Sequence, residues 1–148
     1  MKKFKIDKNF YKNLSSQDSS FLKQAYKTDF NFFKSRLKSI KFVNKKKVLD
    51  AGCGFGQWSF ALAQNNHKVI GIDCSKIRIK IANEINKKNY HKNLSFIQGS
   101  LERLPFKNNT FDAIFSYSVI YHTNYKRSIL EMKRVLKNNG KLYINFNG

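Results

Sequence analysis

Three glycines, Gly52, Gly54 and Gly56, alternate in the stretch "VLDAGCGFG" behind a short apolar run, in a chain with seven glycines among its 148 residues. Without a Cβ, glycine takes positive φ and lets another molecule lie against the backbone. A tight strand-to-helix turn explains one glycine; three at alternate positions call for a ligand held at the start of the next helix. Two acids frame them. Asp50 precedes the turn, and Asp73 closes the run "KVIGID", 21 residues after Gly52. An acid ending a strand reads, by itself, as a cap or a surface charge. At this spacing from the glycines it suits the two hydroxyls of a ribose.

The elements that must position these residues alternate along the chain. "KVLDAG", "KVIGID", "LSFIQG", "FDAIFSYS" and "KLYINF" read as five strands, and "WSFALAQNN", "SKIRIKIANEINKKN" and "NYKRSILEMKRVLKNNG" as helices, the last ending at Gly140. Strict alternation implies right-handed crossovers and an α/β, doubly wound, mostly parallel sheet, with its ligand crevice beyond the carboxyl ends of the strands. Ahead of it, residues 1–18 are polar and lysine-rich, with room for one helical turn near Phe10 and Tyr11. Phe21, Leu22, Ala25, Tyr26, Phe30, Phe33, Leu37 and Ile40 then recur at three- and four-residue steps, which predicts a single helix from Ser19 to "KFVNKKK", capped by Asp18, Ser19 or Ser20. The expected organisation is an N-terminal helical segment over residues 1–46, a candidate lid, and an α/β domain over residues 47–148. The one proline, Pro105, marks no boundary.

Composition narrows the class. With 41% hydrophobic and 15% aromatic residues the chain can bury a core. No apolar run approaches the roughly 18 residues of a membrane span, and no apolar stretch follows the lysines of "MKKFKIDKNF", so a cytoplasmic location is expected. Cys53 and Cys74 fall in candidate ligand loops, without metal-ligand spacing to a histidine. A net charge of +20 is compatible with a nucleic-acid partner. Lysine outnumbers arginine 24 to 5, however, and the charge is spread over both halves, which favours a solvated surface.

The ligand follows from the turn. A dinucleotide fingerprint, G-x-G-x-x-G, is not met: the third glycine comes one residue early, and Ser59 stands where the template wants glycine. Asp50 would repel a pyrophosphate and attract an ammonium group. An amine at one end and a ribose at the other describe S-adenosylmethionine. From Lys47 to Phe146, "VLDAGCGFG", "VIGIDCS", "QGSLERLPFKNNTFDAIFSYSVIYH" and "MKRVLKNNGKLYI" resemble, in order and spacing, the motif series of Rossmann-type (class I) S-adenosylmethionine-dependent methyltransferases of the type 11 style.

That resemblance implies a role for each matching residue. Asp50 and the backbone of Gly52, Cys53 and Gly54 would hold the methionine part, and Gly56 would let the next helix start close by. Asp73 would take the ribose hydroxyls, Cys74 would lie beside the adenine, Ser100 and Leu101 would line its other edge, and the backbone near Ser116 would approach the sulfonium. The chain departs from the pattern at Ser100, where the family often has an acid, and in "KNNG" for K-P-G-G. Methyl transfer from a sulfonium is an in-line displacement that needs alignment and exclusion of water more than catalytic groups. A hydroxyl acceptor would gain from a base; His122 and Tyr117 are the candidates, with Tyr121 beside them. His67 and His91 are read as surface turns and Trp58 as packing. The family usually continues past a fifth strand to two more and a substrate-binding insertion, whereas this sequence ends at Gly148. The resemblance therefore implies a C-terminally incomplete domain, with Leu142, Ile144 and Phe146 on an edge that a further segment or a partner would cover. The favoured acceptor is a small molecule, sugar, lipid-like or quinone-like. RNA is second on charge, and a cofactor-binding module without activity third.

Overall fold

Five parallel strands form one sheet in the order β3-β2-β1-β4-β5: β1 (Val48–Ala51), β2 (Val69–Asp73), β3 (Leu94–Gln98), β4 (Phe111–Tyr117) and β5 (Leu136–Asn145). The computed structural model describes residues 6–89 and 91–146; the first five residues of the lysine-rich start, Tyr90, and the chain's final two residues lie outside them. β1 is buried along its whole length, as a central parallel strand covered on both faces must be. The strand order reverses between β1 and β4, so the topological switch point lies at their carboxyl ends.

Helices cover both faces. α3 (Gln57–Ala63) and α4 (Lys76–Asn89) pack Phe60, Leu62, Ile81 and Ile85 into one apolar cluster, and α5 (Tyr125–Val135) packs Met132 and Val135 with Leu49, Ile72 and Ile114 into another. The N-terminal segment shares the first cluster through Leu22, Phe33, Leu37 and Phe42. Among the described residues no helix is long and apolar enough to cross a membrane.

Three local expectations are corrected. The predicted single N-terminal helix is two, α1 (Ser16–Lys27) and α2 (Phe30–Ser39). Asp29 breaks it: its carboxylate accepts from Asn31 N and caps α2, while Thr28 turns extended and its hydroxyl donates to the Gln24 carbonyl. Ser15, not Asp18, Ser19 or Ser20, caps α1, its hydroxyl accepting from Asp18 N at 3.0 Å. The last helix stops at Val135 rather than Gly140. Asn109 N and Thr110 N donate to the Arg134 and Val135 carbonyls at 3.0 and 2.7 Å, which draws the chain into β5. The "KNNG" stretch becomes an irregularity between the pairs Phe111↔Leu136 and Ala113↔Lys141, with Asn139 at φ +64°.

The connection from β3 to β4 is held by a paired arginine and glutamate of α5. Arg134 donates to the Leu104 and Phe106 carbonyls and to Asn108, and bridges Glu131, which accepts from Leu104 N. The arginine of "MKRVLKNNG" thus fixes the loop "LERLPFKNN".

Candidate functional site

The glycine turn leaves β1 at the switch point. Gly52 and Gly54 take φ of +82° and +56°, a region open to glycine and strained for other residues. Neighbours also come close: a Cβ on Gly52 would stand 2.5 Å from Val119, and one on Gly54 2.9 Å from Phe21. The amides of the turn are engaged inside the protein. Gly52 N and Cys53 N both donate to the Ile72 carbonyl, Gly56 N to the Cys53 carbonyl, and Gly54 N to Asp73 Oδ2 at 2.9 Å. A pyrophosphate cradle needs these N–H groups pointing at the ligand; here they knit β1, β2 and the turn together.

The two carboxylates sit on adjacent strands. Asp50, on β1, is buried and accepts from the Ser59 hydroxyl at 2.5 Å. Burial raises its pKa to about 7, the Ser59 hydrogen bond opposes the rise, and the charge of Asp73 adds to it. Asp73, at the end of β2, accepts from Gly54 N through one oxygen and from Ser75 N through the other. The Cys53 thiol is buried between them and its pKa is pushed well up, first by burial and then by Asp50 and Asp73. A carboxylate paired with a hydroxyl rather than a cation, out of solvent, is an arrangement that a positive ligand group completes.

These residues floor a cavity of about 430 Å³, within the range of about 300–1,000 Å³ typical of small-molecule sites. Its walls bring together Asp50, Gly52, Cys53, Gly54, Asp73, Tyr117, Tyr121 and His122 among the residues singled out by sequence, and Trp58 as well. Tyr121 and His122 are exposed at the mouth, their rings 4.3 Å apart. The other candidates lie outside the walls. Gly56 N-caps α3. Cys74 and Ser100 are exposed at the ends of β2 and β3, and the Ser100 hydroxyl accepts from Glu102 N. Leu101 is in the α5-side core. Ser116 is buried on β4, its hydroxyl without a partner among the described residues. His91, read as a surface residue, is half-buried beside Phe60, and burial lowers its pKa. Trp58 packs as expected, 4.7 Å from both Phe33 and Tyr117.

Several wall residues escape the sequence reading. α1 lies over the turn: Phe21 touches Gly54 and stacks tilted on Phe55, and the Tyr26 hydroxyl donates to the Phe55 carbonyl. Asp18 anchors this helix to Arg78 of α4 at 2.6 Å, and the guanidinium rests over the Phe21 ring. Gln57 of α3 and Phe32 of α2 complete the wall. Only long-range contacts assign these roles, and sequence periodicity carries no such signal.

A family model described as a methyltransferase domain matches residues 42–146. The chain is 35% identical over 99 residues to the demethylmenaquinone methyltransferase of Lactococcus lactis, covering 64% of this chain and 39% of that protein. It is 30% identical over 145 residues to the demethylmenaquinone methyltransferase of Listeria welshimeri, covering 95% and 61%. Its fold matches the crystal structure of a SAM dependent methyltransferase from Aquifex aeolicus with a TM-score of 0.66 and 28% identity, over 79% of this chain and 72% of that one. The chain spans about half the length of the curated relatives it matches.

Proposed function

Because the chain belongs to the methyltransferase-domain family, we propose that its crevice binds S-adenosylmethionine and that the whole protein methylates a small, flat, quinone-like acceptor. The observation that carries the reading is the pair Asp50 and Asp73, on neighbouring strands under a glycine turn whose amides are engaged internally. The pair suits an amine and a diol and does not suit a phosphate.

Asp50 fits the ammonium: a cation beside it stabilises the ionised carboxylate that burial otherwise disfavours. Asp73 keeps acceptor capacity after its two backbone hydrogen bonds, enough for the ribose hydroxyls. When bound, S-adenosylmethionine supplies a methyl group on an electrophilic sulfonium. The protein's part is to fix that methyl in line with the acceptor and keep water out. α1 serves as the lid, with Phe21 over Gly54 and the Asp18–Arg78 bridge as its latch. His122, at the mouth, takes a proton from the acceptor, and Tyr117 lies in the wall beside it. Cys74, Ser100 and Leu101, at the ends of β2 and β3, belong to the adenine side.

A quinone-like acceptor is supported by the names of the two relatives and by the aromatic wall of Phe32, Phe33, Trp58 and Tyr117. The test is transfer of labelled methyl from S-adenosylmethionine to a reduced naphthoquinone, with sugars and RNA offered in parallel. Label in the naphthalene ring system supports the reading. Label in RNA alone overturns the acceptor class.

A further inference from the structure

The crevice has two chemically distinct halves. Strand order puts Asp50 and Asp73 on β1 and β2 to one side and residues 117–119 at the end of β4 to the other. Carboxylates and Arg78 line the first half. The second is walled by Phe32 and Phe33 of α2, Trp58 of α3, and Tyr117, Tyr121 and His122, with no Asp, Glu, Lys or Arg among these wall residues. Phe32 and Tyr121 are about half exposed, at 52% and 49%, so two aromatic faces stand open at the mouth.

One polar group in the cavity wall has no partner. Gln57 Oε1 is buried and makes no hydrogen bond among the described residues, yet Gln57 lines the cavity. Native structures rarely leave a buried amide unsatisfied, and a binding site is one place that keeps such a group open. Its location is also fixed. Gln57 is the first residue of α3, entered directly from Gly56 at φ +90° and followed at once by Trp58 of the aromatic wall, so the turn that floors the first half also sets where the amide enters the cavity.

We propose that Gln57 and the aromatic side chains lining the same cavity form an acceptor subsite that takes a planar ring bearing a hydroxyl. This rests on the methyltransferase reading above and deepens it. The ring matches the open faces of Phe32 and Tyr121, with the packed rings of Trp58 and Tyr117 behind them. The hydroxyl both donates and accepts, so it satisfies the carboxamide in either orientation. A phosphate or an ammonium would find no opposite charge in this half and would be desolvated at a cost.

The sole tryptophan of the chain, Trp58, reports on occupancy. The experiment is anaerobic quenching of its fluorescence by 1,4-dihydroxynaphthalene and by 1,4-dimethoxynaphthalene, with S-adenosylmethionine present, in the wild type, Gln57→Leu and Gln57→Glu. The wild type should prefer the dihydroxy probe by roughly tenfold, the usual effect of one hydrogen bond. Gln57→Leu should lose that preference and Gln57→Glu keep it, while calorimetric affinity for S-adenosylmethionine stays the same in both variants. Equal binding of the two probes by the wild type overturns the subsite. So does weaker S-adenosylmethionine binding by Gln57→Leu, which would assign the amide to the donor end. A wild type that does not bind S-adenosylmethionine overturns the underlying functional reading instead.

Discussion

The hydroxyl of Ser59 donates to Asp50 Oδ2 at 2.5 Å directly beneath the glycine turn, and both residues are closed to solvent. A buried acid held by a neutral hydroxyl is a poor arrangement for stability and a good one for receiving a cation. That tension shows in the pH dependence.

With a pKa raised to about 7, Asp50 keeps its proton in the folded state where the unfolded chain releases it near pH 4. The native state binds more protons across that window, so stability contributed by this group is full below pH 4 and is lost as pH rises through 7. Asp50→Asn should therefore flatten the pH dependence and raise the ligand-free stability above pH 7, by roughly 4 kcal/mol at most. The same substitution should abolish S-adenosylmethionine binding. In the wild type, affinity should fall as pH drops from 7 towards 5, by about tenfold per unit, because binding requires the ionised carboxylate. Thermal denaturation and calorimetry across pH check both halves; normal binding by the Asp50→Asn protein would refute the assignment.

Gly54→Ala meets two obstacles at once, a φ of +56° and the Phe21 ring 2.9 Å from the new methyl. The backbone term alone costs about 1–2 kcal/mol. Pairing the change with Phe21→Ala should recover the steric part and leave the conformational part. A double-mutant cycle in urea reads the coupling, and strict additivity would mean that α1 does not press on the turn.

Arg78→Ala releases α1 from α4. The bridge is partly exposed, so global stability should change by no more than about 1 kcal/mol. Opening of the lid should change more: faster association of S-adenosylmethionine in stopped flow, and faster tryptic cleavage at Lys23 and Lys27. Unchanged rates in both assays would remove the latch.

The +20 charge makes its own test. If lysines serve as solvated surface, RNA binding should be weak at physiological salt and insensitive to sequence and structure. A steep loss of tight RNA affinity with rising salt, accompanied by RNA methylation, would instead favour an RNA acceptor.

The sheet and its crevice are legible in the sequence because they follow from local signals. Alternating apolar runs place the strands, and the glycines with Asp50 and Asp73 mark the switch point. What escapes depends on competition between distant parts. The stripe from Phe21 to Ile40 keeps helical period across Asp29, and only the Asp29 cap shows that the chain breaks there. "VLKNNG" reads as a helix exit, yet the amides of Asn109 and Thr110 claim the last carbonyls of α5 first. Ser59 reads as a missing glycine; its hydroxyl partners Asp50. Ser100 matches by motif position, and the structure adds that its hydroxyl accepts from Glu102 N in its own loop.

If the turn, Asp50 and Asp73 together receive S-adenosylmethionine, titration calorimetry on the wild type and on Asp73→Asn must show it. The wild type should bind S-adenosylmethionine and not NAD, and the variant should lose at least tenfold in affinity with its fold intact by circular dichroism. A wild type that fails to bind S-adenosylmethionine, or a folded Asp73→Asn protein of equal affinity, would refute this assignment of the crevice.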